Sequence, residues 1–202
     1  LPKALPLTEL PDERTMFTLG MYGDGDFFDM KGVVEEFFDQ IGMHKKTEYD
    51  PKAGKTFLHP GRQALISYEN EVMGYLGEVH PAVADTYGIG TRAYVAVLDI
   101  LNVVKHASFD RKYEGIAKFP AVNRDISMVV PKDIMVGQIE HMIAQRGGKI
   151  LEHFELFDIY EGDQIEKGFK SVAYSLTFRS KEKTLEEAEI NGAMNKILNG
   201  LE

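Results

Sequence analysis

The sequence contains no cysteine among its 202 residues. This absence excludes disulfides, thiolate zinc sites and cysteine nucleophiles. The chain also has no run of about eighteen consecutive apolar residues, so a transmembrane helix is not expected. Its first residues, Leu1 to Glu9, lack the order of charged, apolar and small residues that is typical of a signal peptide. Together these absences predict a soluble, cytoplasmic protein without a membrane partner.

Positive charge is scarce, because 23 lysines and arginines stand against 32 acidic residues and give a net charge of −9. Broad affinity for nucleic acid requires many cations to neutralise phosphates. The acidic balance therefore argues against non-specific binding, and no DNA partner is expected. The stretch from Lys167 to Lys183 differs, because it holds Lys167, Lys170, Arg179, Lys181 and Lys183 against only Glu182. This stretch is either a solvated strand and loop or a local patch that contacts phosphate.

The sequence also lacks every common catalytic motif, since it has no nucleophile elbow, no H-E-x-x-H and no phosphate-binding P-loop. The glycines Gly88 and Gly90 precede a predicted strand, whereas a dinucleotide-binding loop follows its strand. His59, Glu78 and His80 could be imagined as metal ligands. Each histidine, however, is followed by proline, which favours a turn or a helix start. We therefore expect no catalytic residue, no metal site and no cofactor in this chain.

Residues 1–112 show short, mostly apolar strands separated by turn residues, which is typical of an antiparallel sheet. Leu1 to Pro11 resembles a linker because it holds three prolines and no clear period. We predict strands at Thr15–Tyr22, Thr56–Leu58, Gln63–Tyr68, Met73–Val79 and Tyr94–Ile100, and helices at Phe27–Ile41, Pro81–Tyr87 and around Leu101–Lys105. Asp26 is the expected N-cap of the first helix, and Phe28, Val34, Phe37, Phe38 and Ile41 are expected to form its apolar face.

Residues 113–202 have a different pattern, in which strands and helices follow the order β-α-β-β-α. We predict strands at Asp125–Val130, Ile150–Tyr160 and Phe169–Arg179, and helices at Met135–Arg146 and Thr184–Leu198. Asp133 is the expected cap of the first of these helices, and Thr184 with Glu187 the expected capping box of the second. The order is that of a ferredoxin-like domain whose last strand is missing. The strand Asp125–Val130 would then lie at a sheet edge.

The strand Phe169–Arg179 alternates between two kinds of side chain. Tyr174, Leu176 and Phe178 are large and apolar, whereas the residues between them are small or carry hydroxyl groups. We expect the large set to face the helices and leave the small set on an open sheet face. Such a face suits unstacked RNA bases, which proteins bind through hydrogen bonds to the base edges. A plain solvent-facing surface fits the same spacing equally well.

Several sequence blocks, in order along nearly the whole chain, resemble the β subunit of bacterial phenylalanyl-tRNA synthetases. The blocks near the anticodon-binding end are Phe119-Pro120-Ala121-Val122-Asn123-Arg124-Asp125-Ile126, Glu155-Leu156-Phe157-Asp158-Ile159-Tyr160, Lys170-Ser171, Leu176-Thr177-Phe178-Arg179 and Lys183-Thr184-Leu185. The earlier blocks are Asp26-Phe27-Phe28-Asp29-Met30-Lys31-Gly32, Leu58-His59-Pro60-Gly61-Arg62 and Gly77-Glu78-Val79-His80-Pro81. The resemblance implies a C-terminal fragment of such a subunit, in the α+β class.

The resemblance also implies a fold and a function. Residues 1–112 would be the last part of a synthetase-like module with the fold of a class II catalytic domain but without its working residues. Residues 113–202 would be a ferredoxin-like domain that binds the tRNA anticodon. The parent enzyme would be an (αβ)₂ ligase that uses ATP and magnesium to attach phenylalanine to its tRNA. Its α subunit would hold the active site and contact this chain.

The positions that match the family's anticodon contacts are Ser127, Asp158 and Ser171. Serine and aspartate can donate to or accept from a base edge, which suits specific binding rather than charge attraction. Arg124, Lys170 and Arg179 would contact phosphates. Two other classes stay open, namely a small-molecule regulatory domain, because ferredoxin-like sheets also bind amino acids, and a purely structural interaction module.

Overall fold

A computed structural model of the chain describes residues 13–110, 115, 117–162 and 164–202. The chain separates into two compact units, Leu1–Lys112 and Tyr113–Glu202. The predicted N-terminal linker, Leu1 to Pro11, lies outside the described residues. No helix in the described part of the chain is both long and apolar enough to cross a membrane.

The first unit contains a five-stranded antiparallel sheet with the strand order β1-β5-β4-β3-β2. Its elements are β1 (Met16–Tyr22), α1 (Phe27–Gln40), β2 (Glu48–Asp50), β3 (Leu58–Tyr68), β4 (Glu71–Val79), α2 (Pro81–Thr86), β5 (Ala93–Asp99) and α3 (Ile100–His106). The predicted elements are confirmed in type, with two exceptions. Thr56–Leu58 is not a separate strand, because β3 starts at Leu58 and runs through to Tyr68. The three-residue β2 was not predicted, since a strand so short has no readable period.

Helix α1 begins at a capping box. The Asp26 carboxylate accepts hydrogen bonds from the backbone N–H groups of Phe28 (2.7 Å) and Asp29 (2.9 Å), and the Asp29 carboxylate accepts one from the Asp26 N–H (2.7 Å). Met30, Val34 and Phe38 then bury one face of the helix at a spacing of four residues. The prediction that Phe28 belongs to this face is wrong. Phe28 is 71% exposed, because two residues correspond to about 200° of helix rotation away from Met30.

A two-residue turn joins β3 to β4. Glu69 and Asn70 both have positive φ values, 49° and 63°, as a tight hairpin turn requires. The turn lies between the predicted strands Gln63–Tyr68 and Met73–Val79. Gly74 on β4 allows β5 to approach closely, since a Cβ atom there would lie 2.0 Å from the carbonyl oxygen of Val97.

The second unit is a three-stranded antiparallel sheet with the order β6-β8-β7 and two helices. Its elements are β6 (Val122–Pro131), α4 (Val136–Gly147), β7 (Leu151–Tyr160), β8 (Phe169–Phe178) and α5 (Glu187–Leu201). The order β-α-β-β-α confirms the ferredoxin-like interpretation and the α+β class. In the described sheet β6 pairs only with β8, so it is an edge strand as expected.

The core of the second unit lies between the sheet and the helices. Tyr174, Leu176 and Phe178 of β8 are fully buried against Ile143 of α4 and Ile197 of α5. Burial also raises the pKa of the Tyr174 hydroxyl above its ordinary value. The prediction that the large side chains of β8 face the helices is therefore confirmed.

The starts of α4 and α5 differ from the predictions. The N-cap of α4 is Met135, whose N–H donates to the Gln138 side chain (2.9 Å), and Asp133 lies two residues earlier in the turn. The N-cap of α5 is Glu186, whose N–H donates to the Glu189 carboxylate (3.1 Å), so Thr184 and Glu187 do not form the capping box. In both helices a residue inside the first turn reaches back to satisfy the N-cap amide. The cap residue itself is of a type that sequence rules do not favour.

Candidate functional site

The sheet of the second unit has one face against α4 and α5 and one open face. Residues that lie opposite each other on paired antiparallel strands share a face, so the strand register assigns each side chain to one of the two faces of the sheet. The open-face residues are Asn123, Asp125, Ser127, Val129 and Pro131 of β6, Phe169, Ser171, Ala173, Ser175 and Thr177 of β8, and His153, Glu155, Asp158 and Tyr160 of β7. Most are partly or fully exposed.

The middle of this open face is a row of three residues across the three strands. Ala173 of β8 lies opposite Ser127 on one side and opposite Asp158 on the other. The Ser127 hydroxyl also lies 3.4 Å from the Ser171 hydroxyl, one row further along β8. The side chain of Ala173 is only a methyl group. The middle of the row is therefore apolar and shallow, between the hydrogen-bonding side chains of Ser127 and Asp158. The structure thus brings together the three residues predicted to contact bases.

A β-bulge in β7 turns Asp158 towards the open face. Leu156 lies opposite Tyr174 and faces the helices, and the pairing shifts register between Leu156 and Asp158. On a regular strand, residues two positions apart share a face, so Asp158 would also face the helices. The extra residue, Phe157, reverses that alternation and leaves its own ring 57% exposed.

Tyr160 is a member of the open face that the sequence reasoning did not single out. It lies opposite Ser171, one row from Asp158, and is 43% exposed. Val129 of β6 lies opposite Ser171 on the other side and is also exposed. An exposed aromatic ring beside hydrogen-bonding side chains is the usual arrangement for stacking a base. Asp158 and Tyr160 are visible in the sequence at the end of β7. The bulge at Phe157, however, decides which face of the sheet their side chains lie on.

The open face is acidic. Asp125, Glu155 and Asp158 all lie on it, and within the described strands it carries no lysine or arginine. Carboxylates accept hydrogen bonds and repel phosphates. The face is therefore suited to ligand groups that donate hydrogen bonds, such as the amino and imino groups of bases.

The three predicted phosphate contacts lie elsewhere. Arg124 lies opposite Leu176, on the helix side of the sheet, and pairs with the Glu187 carboxylate of α5 at 2.7 and 2.9 Å. Lys170 is 9% exposed, and its ammonium donates to the carbonyl oxygens of Lys132 (3.2 Å) and Ile134 (2.7 Å). The structure thus gives both residues partners within the chain, and the expectation of a phosphate contact does not fit the buried ammonium of Lys170.

Arg179 follows the end of β8 and also has a carboxylate partner within the chain. Its Nε lies 3.0 Å from the Glu152 carboxylate, and its side chain is 27% exposed. The Arg124 side chain is 35% exposed, and surface ion pairs such as these two contribute little to stability. Arg124 and Arg179 are therefore both exposed enough for a phosphate contact, whereas Lys170 is buried.

The residues considered as metal ligands in the first unit have other partners. The Glu78 carboxylate is buried and accepts hydrogen bonds from the Arg62 guanidinium (3.0 and 3.1 Å) and the Tyr94 hydroxyl (3.3 Å). The Nδ1 atoms of His59 and His80 accept backbone N–H groups two residues further on. Among the described residues, no group of three histidine or carboxylate side chains is arranged to hold a metal ion.

The second unit, then, is a ferredoxin-like domain with an open, hydrogen-bonding sheet face. Residues 117–202 match the family model described as a ferredoxin-fold anticodon binding domain. Residues 2–100 match the model described as the CLM domain of the phenylalanyl tRNA synthetase beta chain. The two matches therefore cover most of both units, in the order that the sequence blocks indicated.

Similar curated proteins carry the name phenylalanine–tRNA ligase beta subunit. The protein from Clostridium acetobutylicum is 45% identical over 194 residues, which are 96% of this chain and 24% of the relative. The Bacillus subtilis protein is 38% identical over 177 residues, 88% of this chain and 22% of the relative. The chain thus spans about a quarter of the length of these relatives. It belongs to the phenylalanine–tRNA ligase beta subunit family, and the resemblance seen in its sequence blocks is confirmed.

Proposed function

We propose that the second unit binds the anticodon of phenylalanine tRNA on its open sheet face. The observation that carries this proposal is the row Ser127, Ala173 and Asp158, with Ser171 beside it, within a segment that matches an anticodon-binding family model. Unstacked anticodon bases have exposed edges and faces, which a flat sheet with short polar side chains can contact directly.

Each side chain of the face has a distinct role in this proposal. The Asp158 carboxylate accepts hydrogen bonds from the amino or imino groups of a base, and the Ser127 and Ser171 hydroxyls donate or accept as the base requires. Tyr160 stacks on a base plane at the end of the row. The methyl group of Ala173 lets the base approach the sheet without an intervening side chain.

Electrostatic attraction of the tRNA comes mainly from outside this face. Asp125, Glu155 and Asp158 repel phosphates, so the face contributes selectivity and not general affinity. Arg124 and Arg179 are retained as the phosphate contacts of the second unit, whereas Lys170 is assigned to stability. The remaining attraction is assigned to other parts of the parent assembly.

The parent of this chain is, in the same proposal, a cytoplasmic (αβ)₂ phenylalanine–tRNA ligase. Its α subunit holds the active site that uses ATP and magnesium, and the first unit of this chain contacts that subunit as a non-catalytic synthetase-like module. No residue of this chain is assigned to the chemistry. The proposal rests on the family to which the chain belongs.

Titration of the whole chain with phenylalanine tRNA at low and moderate salt tests the anticodon proposal. We expect weak binding that falls when the anticodon bases are exchanged. Asp158→Asn removes a charged hydrogen-bond acceptor, which is worth about 1.5–3 kcal/mol, or roughly a 10- to 100-fold loss of affinity. Asp133→Asn is the matched control, because it makes the same chemical change in an exposed turn outside the face. No binding at either salt, or equal binding of tRNA with exchanged anticodon bases, contradicts the proposal.

A further inference from the structure

Gly162 follows the last residue of β7 by two positions and lies directly against the ring of Tyr160. A Cβ atom built at Gly162 would overlap the hydroxyl oxygen and the Cζ atom of Tyr160, and would lie 3.0 Å from its Cε1 atom. Close-packed atoms do not tolerate such overlaps. The phenol end of Tyr160 therefore occupies the place that any larger residue at position 162 would need for its side chain.

The backbone at position 162 does not itself require glycine. The φ angle of Gly162 lies outside the left-handed region, in contrast to that of Gly168 in the same connection between β7 and β8, which is 95°. Alanine would therefore fit the backbone conformation of Gly162. The carbonyl oxygen of Gly162 also accepts a hydrogen bond from the Ile165 N–H (2.9 Å), which holds the backbone in place under the ring. What glycine provides at this position is room for the Tyr160 ring.

The contact with Gly162 sets the direction in which the Tyr160 ring leans on the open face. Tyr160 lies opposite Ser171, one row from Asp158. Gly162 comes after Tyr160 in the chain, past the end of β7 and on the side away from Asp158. A ring that rests on Gly162 therefore leans away from Asp158, and Ser171 keeps part of its surface exposed.

We propose that Gly162 is a positioning residue for RNA binding, because it holds the Tyr160 ring away from Asp158 and so leaves a slot above Ser171 for one unstacked base. In this slot the base plane stacks on the Tyr160 ring and the base edge faces the Asp158 carboxylate. A carboxylate only accepts hydrogen bonds, so the slot favours a base that presents an amino or imino group at that edge. Gly162 acts through Tyr160 and needs no contact with the RNA. The inference rests on the proposed anticodon binding.

A double-mutant cycle at positions 160 and 162 tests this role, with the whole chain and the anticodon stem-loop of phenylalanine tRNA. Tyr160→Ala should weaken binding by roughly 5- to 150-fold, the range typical of one base stacked on an aromatic ring. Gly162→Ala should weaken it by roughly fivefold or more, because the added methyl group forces the ring off Gly162 and into the slot. In the Tyr160→Ala background the same Gly162→Ala change should alter the affinity by less than about twofold, since the ring through which Gly162 acts is gone.

Gly137→Ala is the matched control, because it adds the same methyl group in the same unit. Gly137 lies on α4, and a Cβ atom built there would meet nothing within 4 Å. We expect this variant to bind the stem-loop like the unmodified chain. NMR spectra without RNA should show that all variants are folded and that the Tyr160 ring signals are displaced in Gly162→Ala.

Three results overturn the role of Gly162, and they separate it from the proposed function. If Tyr160→Ala binds weakly but Gly162→Ala binds like the unmodified chain, anticodon binding stands and Gly162 has no part in it. If Gly162→Ala causes the same loss with and without Tyr160, position 162 acts through the connection between β7 and β8 and not through the ring. If Tyr160→Ala binds like the unmodified chain, the stacking assigned to Tyr160 in the proposed function is itself contradicted, and the role of Gly162 falls with it.

Discussion

The ammonium group of Lys170 lies among backbone carbonyls at the turn that leads into α4. It donates hydrogen bonds to the carbonyl oxygens of Lys132 and Ile134, and its side chain crosses the helix side of the sheet next to the core. A buried cation with two charge-assisted hydrogen bonds is a structural group, because removing it leaves acceptors unpaired. Lys170 therefore fixes the connection between β6 and α4.

Lys170→Met tests this structural role. The substitution keeps an apolar stem and removes the ammonium, so the second unit should lose about 1–3 kcal/mol of unfolding free energy. Urea unfolding followed by residue-resolved NMR measures this, because it separates the two units. Affinity for tRNA under conditions where the variant is folded should be unchanged. An unaffected stability with a large loss of tRNA affinity would instead make Lys170 a ligand contact.

Asp99 links the start of α3 to the segment before β1. Its carboxylate pairs with Arg14 at 2.8 Å and accepts hydrogen bonds from the N–H groups of Leu101 and Asn102. Burial alone would raise the pKa of Asp99, but the Arg14 guanidinium and the two amides outweigh it and hold this pKa below its ordinary value. The charged form is thus favoured in the folded state.

The depressed pKa of Asp99 predicts a pH dependence of stability. The contribution of Asp99 is fully present above the unfolded-state pKa of about 4 and is lost as the pH falls through the lower folded-state value. The Asp99→Asn substitution keeps a good helix cap but removes the charge. On acidification below about pH 4, the first unit of this variant should therefore lose less unfolding free energy than the first unit of the unmodified chain. Urea midpoints at several pH values measure this, with Asp85→Asn as control. Equal acid sensitivity of Asp99→Asn and the unmodified chain would refute it.

Helix α1 is the element with the most complete local signal. The Asp26 and Asp29 carboxylates satisfy three amides of its first turn. Asp26→Ala should destabilise the first unit by about 1 kcal/mol, whereas Asp26→Asn should retain most of the cap. The same urea experiment compares the two variants. If alanine and asparagine are equivalent at this position, the cap contributes nothing to the stability of the unit.

Periodicity predicted nearly all the helices and strands, because each buries one face against a single layer. The features that it missed are those in which tertiary structure overrides the local pattern. Phe157 in β7 gave no sign that it forms a bulge, so the direction of Asp158 was not derivable from alternation alone. The caps Met135 and Glu186 likewise depend on side chains that reach back from the helix, which residue preferences do not show.

At the scale of the whole molecule, the acidic balance is compatible with the proposed RNA binding, because that binding uses hydrogen bonds to base edges and not mainly attraction of phosphates. In the second unit four of the cations, Arg124, Lys132, Arg179 and Lys183, are paired with carboxylates. The sequence could not show these pairings, since each joins residues distant along the chain or in separate elements. The open face itself offers a ligand short polar side chains and the rings of Tyr160 and Phe169.

The position of Ala173 allows the central claim to be measured directly. Its methyl group lies in the middle of the open face, whereas Ala193 is buried on α5 at the opposite side of the sheet. With alanine methyl groups labelled for NMR, addition of a phenylalanine tRNA anticodon stem-loop should shift the Ala173 signal and leave the Ala193 signal unchanged. An unchanged Ala173 signal at saturating RNA, or shifts confined to alanines of α5, would contradict anticodon binding on this face.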